Sequence, residues 1–219
     1  MMRLADYDGN PNIGVYAAVA EELAFLPPNA PAYFEKALAE TLGVEVVRTT
    51  VAGSLVVGSL MAINSHGAVV SELCEQNEAE LISSKLPLAY VDDRMNAAGN
   101  NILVNDNGAI VNPEISKSAL RGISKALGVD CVRGTVAGMG VVGSACLATN
   151  KGAAIHPEAT DEEISLVEET LGVKAYRTTL NHGVRLLAAC SVANSKGAVI
   201  GRQTTPIEMG RLEEALALY

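Results

Sequence analysis

Cysteine and histidine are the residues of this sequence with the clearest capacity for chemistry, because they serve as nucleophiles, bases and metal ligands. The 219-residue chain has four cysteines and three histidines: Cys74, Cys131, Cys146, Cys190, His66, His156 and His182. The cysteines form no Cys-x-x-Cys pair, and no histidine stands at a metal-ligand spacing from them. We therefore expect no metal and no cofactor, and reduced cysteines as in a cytoplasmic protein.

One pair of residues is compatible with nucleophilic catalysis, since Cys190 follows His182 by eight residues. A catalytic cysteine needs a nearby base and must be accessible to its substrate. Cys190 stands in the apolar run Leu-Ala-Ala-Cys-Ser-Val, where a small buried residue is the more common role. The residues therefore favour a buried, structural Cys190, and a cysteine enzyme remains the alternative.

Polar side chains with binding capacity are concentrated in one short segment, whose candidate residues are Arg94, Met95, Asn96, Gly99, Asn100 and Asn101. Arginine can pair with a carboxylate or a phosphate, and asparagine both donates and accepts hydrogen bonds. The segment interrupts a repeated pattern and is predicted to carry two extra residues, as an insertion in a loop. The residues alone favour an ordinary turn at Gly99-Asn100.

The repeated pattern runs along the whole chain. Copies that begin with Leu-Gly-Val start at Leu42, Leu127 and Leu171, and a more divergent copy starts at Leu86. A unit of this length buries little apolar surface alone and needs its neighbours, so we expect one domain, 1–219. Its five repeats are predicted at about 1–41, 42–85, 86–126, 127–170 and 171–219.

Each repeat is predicted to contain three strands and a helix. In the second repeat the strands are predicted at 44–51, 55–63 and 68–71, because these are apolar runs. Polar capping repeats, which an open solenoid needs, are missing at both ends of the sequence. The predicted fold class is therefore α/β, a closed ring of five βαβ-type units with strands inside and helices outside. The short first repeat would complete the last one.

Helix ends have clear local signals. Glycines after the last apolar helical residue, which favour a left-handed cap, are Gly43, Gly128 and Gly172. Capping boxes are predicted at Asn77 with Glu80, Thr160 with Glu163, and Thr205 with Glu208.

Three arginines, Arg48, Arg133 and Arg177, occupy one repeat position. They could form an anion site, or each could bond carbonyls or carboxylates of the scaffold. The second interpretation is favoured, because equivalent positions of repeats usually serve packing between repeats.

Charge and hydropathy limit the classes of partner. The net charge of -9 makes the chain a poor binder of phosphate backbones and suits a basic partner, although such a charge also simply favours solubility. The longest uncharged run, 134–150, holds four glycines and is predicted to form paired strands rather than a membrane span.

The segment Arg94-Met95-Asn96-Ala97-Ala98-Gly99-Asn100 resembles the R-x-x-A-x-G-N segment of the archaeal translation initiation factor 6 family. The resemblance covers the whole chain, from Asn10-Pro-Asn-Ile-Gly through the Gly-Ala turns to Arg202-Gln-Thr-Thr-Pro-Ile-Glu. It implies the pentein fold, a fivefold ring with pseudosymmetry. It also shifts the interpretation of Arg94 and Asn100 from a turn to a binding site.

The resemblance implies a factor that binds the large ribosomal subunit on its intersubunit face and blocks association with the small subunit. It further implies a role in late large-subunit biogenesis, contacts with basic ribosomal proteins near the sarcin–ricin loop, and possible limited rRNA contact. A monomer that binds neither DNA nor membranes is expected. Two alternatives remain: a pentein guanidino-modifying enzyme that uses Cys190, and a structural ring that self-associates through Leu212, Leu216 and Leu218.

Overall fold

The computed structural model describes residues 1–91 and 94–219, and its strands there form five separate three-stranded sheets. The strands are β1 (Met2–Ala5), β2 (Ala18–Val19), β3 (Leu23–Leu26), β4 (Glu45–Arg48), β5 (Met61–Ile63), β6 (Ala68–Ser71), β7 (Leu88–Val91), β8 (Ile102–Val104), β9 (Ala109–Val111), β10 (Cys131–Arg133), β11 (Cys146–Ala148), β12 (Ala153–Ile155), β13 (Ala175–Arg177), β14 (Ser191–Asn194) and β15 (Gly197–Gly201). In each sheet the middle strand pairs antiparallel with the strand before it. Its other neighbour is parallel.

The helices of the described residues fall into a long and a short class. The long helices are α1 (Ala32–Leu42), α3 (Gln76–Ser83), α5 (Lys117–Leu127), α7 (Asp161–Leu171) and α9 (Pro206–Ala215). The one-turn helices are α2 (Val57–Leu60), α4 (Ala98–Asn101), α6 (Val142–Ala145) and α8 (Leu187–Cys190), and a 3-10 turn spans Ile13–Val15. Within these ranges, no helix combines the length and the apolar character that crossing a bilayer requires.

Each long helix covers one hydrophobic core that also contains residues of two sheets. Beneath α1, for example, Phe34 and Leu38 pack with Ala24 of the first sheet and Val199 of the last. The helices therefore link successive sheets, which are not hydrogen-bonded to one another as one continuous sheet. This arrangement explains why a single repeat would be unstable alone.

The predicted helix ends are largely confirmed. Gly43, Gly128 and Gly172 adopt φ of 62°, 65° and 65°, the left-handed cap that glycine tolerates best. Capping boxes form at Thr160 and Thr205.

The capping box predicted at Asn77 with Glu80 is wrong. The helix begins two residues earlier, and Glu75 and Glu78 form the box instead. Within this box the backbone N–H of Glu75 donates a 2.8 Å hydrogen bond to the carboxylate of Glu78, the third residue of the helix.

The strand predicted at 55–63 is also wrong in its first half. Residues 57–60 form α2, and only Met61–Ile63 is a strand. An apolar run cannot distinguish a buried strand from a buried helical turn. The turn is close-packed: a Cβ on Gly58 would lie 2.0 Å from the carbonyl oxygen of Gly14, in the 3-10 turn.

The N-terminal strand completes the last sheet, as expected for the short first repeat. β1 pairs with β15 in the register Met2↔Ala198 to Ala5↔Gly201. The C-terminal helix packs inward as well, since Leu212 and Leu216 are fully buried and Leu218 packs on the same core. The alternative of self-association through these leucines is disfavoured, because the side chains of Leu212 and Leu216 lie in the core.

Candidate functional site

The segment from Arg94 to Asn101 begins in a short loop and ends as α4. Arg94 is exposed, and Met95 and Asn96 are half-buried. Met95 packs against the core that α5 covers, so its side chain fixes one side of the loop. The guanidinium of Arg94 extends from this fixed base toward solvent.

The segment is not an insertion, which corrects the sequence prediction. Tyr90, and not Arg94, occupies the register position that Arg133 has in the next sheet. Tyr90 precedes Gly99 by nine residues, whereas Arg133 precedes Gly143 by ten. The segment is therefore one residue shorter than its counterpart. The register is hard to recognise from the sequence, because three of the other repeats place an arginine where this one has Tyr90.

Asn101 holds the backbone of the segment from within. Its side-chain nitrogen donates hydrogen bonds of 3.0 Å to the carbonyl oxygens of Met95 and Ala97. Its side-chain oxygen accepts a 2.8 Å bond from Asn112 Nδ2. Because Asn101 is only 4% exposed and uses both ends of its amide, its contacts are structural.

Gly99 and Asn100 contact the neighbouring repeats. A Cβ on Gly99 would lie 2.0 Å from the carbonyl oxygen of Gly58, so no other residue fits without displacement. Asn100 Oδ1 accepts a 2.9 Å hydrogen bond from Ser144 Oγ, and the residue remains partly accessible. Of the six predicted binding residues, Asn101 is buried, and the others offer at least part of their surface to a partner: Arg94, Met95, Asn96, Gly99 and Asn100.

The equivalent loops of three other repeats are held by a glutamate. Glu163, the third residue of α7, accepts a 2.7 Å hydrogen bond from Thr135 Oγ1. Its carboxylate also accepts bonds of 2.8 and 2.9 Å from the N–H groups of Ala137 and Gly138. The same side chain caps its own helix at Thr160. One carboxylate therefore joins a loop to the helix that follows it.

We name this arrangement the carboxylate clip; it is made by Glu78, Glu163 and Glu208. Glu78 bonds Thr50 and the N–H groups of Ala52 and Gly53, and Glu208 does the same for the loop at 178–186. The capping pattern predicts two of these glutamates as helix caps but does not predict their contacts with the loops. A nearly constant spacing is the available signal, since Thr50 and Thr135 precede their glutamates by 28 residues and Thr179 by 29.

The clip carboxylates are stabilised in their charged form. Burial raises the pKa of Glu208, but hydrogen bonds from Thr205, Thr179 and Gly183 outweigh burial and lower the pKa to about 2. The same balance of burial and hydrogen bonds lowers the pKa of Glu78 and Glu163. Hydrogen bonds to the ionised form account for these directions.

The described part of the segment at 94–97 has no carboxylate clip. The third residue of α5 is Ala119, which cannot supply a carboxylate, and the side chain of Ser116 caps that helix by accepting a hydrogen bond from the Ala119 N–H. In the loop near the N-terminus, Tyr33 and Asp6 replace the glutamate by bonding the N–H groups of Asp8 and Gly9. The segment therefore depends on Asn101 instead of a helix-borne carboxylate.

The three arginines of the common repeat position bond the scaffold. Arg133 donates to the Ile115 carbonyl at 3.2 and 2.6 Å, and Arg177 donates to the Ala159 carbonyl at 3.0 and 2.8 Å. Arg48 bonds the Pro28 carbonyl at 2.6 Å and also pairs with a glutamate of α1. The structural interpretation of these arginines is confirmed.

Cys190 has none of the features of an activated nucleophile. The residue is fully buried, and burial raises the pKa of its thiol to about 11. Its nearest hydrogen-bonding partner is Asn12 Oδ1, at 3.5 Å, rather than a histidine. The backbone N–H of His182 bonds Glu208 in a clip. Across residues 1–91 and 94–219, no group of three or more His, Cys, Asp or Glu side chains is placed to hold a metal.

Five similar α/β units that share hydrophobic cores with their neighbours are typical of a protein built on repeats. Comparison with known proteins agrees, since the model of the eIF-6 family matches residues 2–215. The chain belongs to the eIF-6 family.

Several similar relatives are named translation initiation factor 6. The protein from Archaeoglobus fulgidus is 48% identical over 209 residues, covering 95% of this chain and 97% of its own. Those from Methanocella arvoryzae and Methanococcoides burtonii are each 44% identical over 216 residues, covering 99% of this chain and 98% or 99% of theirs.

Proposed function

We propose that this protein is a translation factor that binds the large ribosomal subunit on the face that meets the small subunit. Bound there, it sterically prevents the two subunits from associating, and it acts late in large-subunit biogenesis. The full-length match to relatives named translation initiation factor 6 carries the translation role. We further propose that it works as a cytoplasmic monomer without a cofactor and without catalysis.

The proposed contact surface is the segment that holds Arg94, Met95, Asn96 and Asn100. Its support is the exposure of Arg94 beside a backbone fixed by Asn101. A rigid backbone reduces the entropy lost on binding, so an exposed side chain on it is a good anchor. Arginine is also enriched among the residues that dominate binding energy.

Charge supports a basic partner. The chain carries a net charge of -9, and ribosomal proteins are rich in lysine and arginine. Complementary charge accelerates encounter and disfavours wrong partners. We therefore propose that most of the interface is with ribosomal proteins, and that Arg94 supplies the limited contact with rRNA or an acidic side chain.

A closed ring of five repeats, with bounds near those predicted from the sequence, is part of the proposal. The pairing of β1 with β15 supports closure. So does the succession of contacts among the first strands of the sheets, from β2 through β5, β8, β11 and β14 back to β2. A closed scaffold would hold its loops in fixed relative positions, as a factor that excludes another particle requires.

Co-sedimentation with purified archaeal ribosomal subunits tests the proposal. We expect the protein to pellet with the large subunit and not with the small one. In a joining assay it should then reduce the fraction of joined particles in proportion to its occupancy. Pelleting with neither subunit, or binding without any effect on joining, would contradict the proposed function.

A further inference from the structure

A groove of about 870 Å³ lies between α3 and α5 on the side of β7. Glu72, Cys74 and Glu80 line it from α3 and the segment before that helix, and Tyr90, Ser118 and Gly122 line it from β7 and α5. It is wide because α3 is short, with eight residues against eleven in α5, and because Gly122 has no side chain.

The neighbouring repeats show what normally occupies this position. In the third sheet, Arg133 crosses from the outer strand to the carbonyl of Ile115, just before α5. In the fourth sheet, Arg177 reaches the carbonyl of Ala159 in the same way. Each acceptor residue closes a turn with its own N–H, which donates to the carbonyl three residues earlier.

In the second sheet the matching donor is replaced by Tyr90. Cys74 closes the same turn as Ile115 and Ala159, with its N–H bonded to Ser71 O at 3.0 Å, so the Cys74 carbonyl is the matching acceptor. Among the described residues, no arginine or lysine lines the groove. The last sheet also lacks the arginine, with Leu4 paired in that register.

The groove has the chemistry to accept a guanidinium from outside. Both charged residues that line it, Glu72 and Glu80, are acidic and exposed. Tyr90 is 45% exposed, and a guanidinium can stack on the face of a tyrosine ring. We propose that this groove binds an arginine side chain of a partner protein, in the position that Arg133 and Arg177 fill from within the chain.

An NMR titration with a blocked Gly-Arg-Gly peptide tests this inference, which does not depend on ribosome binding. We expect saturable shifts of the backbone amide signals of Gln76, Ser118 and Gly122, with a dissociation constant on the order of 1 mM for so small a ligand. A Gly-citrulline-Gly peptide, which keeps the shape without the charge, should bind at least about tenfold more weakly. Equal binding of both peptides, or no saturation, would overturn the proposal.

The variant Tyr90→Arg supplies the missing guanidinium from the chain itself. It should donate to the Cys74 carbonyl and weaken binding of the Gly-Arg-Gly peptide at least about tenfold. Tyr176→Arg is the matched control: Tyr176 is also on an outer strand, is 46% exposed and lies outside the groove. It should leave peptide binding within about twofold of the unsubstituted protein.

A third measurement separates a partner from a second copy of the chain. Sedimentation equilibrium of the unsubstituted protein should show no dimer, and the Tyr90→Arg protein should give the same result. Such a dimer, or unchanged peptide binding in the Tyr90→Arg protein, would mean that the groove has another occupant or none, and would overturn the proposal.

Discussion

The loop at 134–141 and the segment at 94–97 occur at equivalent places in adjacent repeats, yet different contacts hold them. The carboxylate of Glu163 binds the first loop from the helix that follows it. The second is held from below by the buried amide of Asn101. Both regions keep part of their surface accessible, since Gly138 and Arg94 are exposed and most of the other residues are half-buried. The comparison shows that two different contacts, a helix-borne carboxylate and a buried amide, can fix equivalent loops of the repeat.

The substitution expected to destabilise the fold most is Gly99→Ala, in the packed turn next to the candidate segment. The added Cβ would lie 2.0 Å from the Gly58 carbonyl oxygen, and backbone cannot move away as a side chain can. We expect a loss of about 3–5 kcal/mol in the free energy of unfolding, measured with urea.

Gly210→Ala is the control for that substitution, because nothing lies within 4 Å of its Cβ position on α9. It should stabilise the protein by about 0.5–1 kcal/mol through helix propensity. Gly99→Ala with wild-type stability would show that the repeats do not pack as closely as described.

The clip itself is tested by Glu208→Gln. The folded-state pKa of Glu208, about 2, lies below the value of about 4.3 for an unfolded glutamate. The charged form therefore stabilises the fold above pH 5, and this contribution is lost as the pH falls toward 2. Since Glu208 is only 6% exposed, we expect the contribution to reach about 2–3 kcal/mol.

Urea unfolding at pH 6, 4 and 3 measures this effect. Between pH 6 and pH 3 the decline in stability should be smaller in Glu208→Gln than in the wild type by about 1.5–2 kcal/mol, because the remainder is lost only below pH 3. Glu162→Gln, exposed on α7, serves as the control and should leave the pH profile unchanged. Parallel profiles for all three proteins would show that the clip contributes no charge-dependent stability.

The substitution Arg133→Gln has a smaller expected effect. It removes two charge-assisted hydrogen bonds to the Ile115 carbonyl, and the guanidinium is only partly buried. We expect a loss of about 1–2 kcal/mol in the free energy of unfolding and unchanged binding to the large subunit. Weakened binding without a loss of stability would show that Arg133 contacts the large subunit instead of stabilising the fold.

Some features of this fold could be predicted from local sequence signals. Gly43 and Gly172 mark helix ends, and Thr160 and Thr205 mark helix starts, because caps involve residues only a few positions apart. The one-turn helix at 57–60 could not be predicted, since the run Val-Gly-Ser-Leu is equally compatible with a buried strand and with a buried helical turn.

The clip and the register of the candidate segment depend on distant residues. Thr135 and Glu163 are 28 positions apart, so local sequence signals do not predict their contact. The helix cap made by the same glutamate is predictable, because it involves neighbouring residues. Because Tyr90 stands where three other repeats have an arginine, aligning the repeats on Arg94 predicts an insertion, although the loop is one residue shorter. Arg94 and Asn100 were chosen through the family resemblance, and their partner contacts remain predictions.

The most direct test of the account is to measure large-subunit binding and urea unfolding together for Arg94→Glu and for the matched control Arg121→Glu, which is exposed on α5. We predict that Arg94→Glu weakens binding by about tenfold or more while its free energy of unfolding stays within about 0.5 kcal/mol of wild type. Arg121→Glu should change neither quantity. If Arg94→Glu binds as well as the wild type, or loses binding only because it unfolds, the segment from Arg94 to Asn100 is not the binding surface.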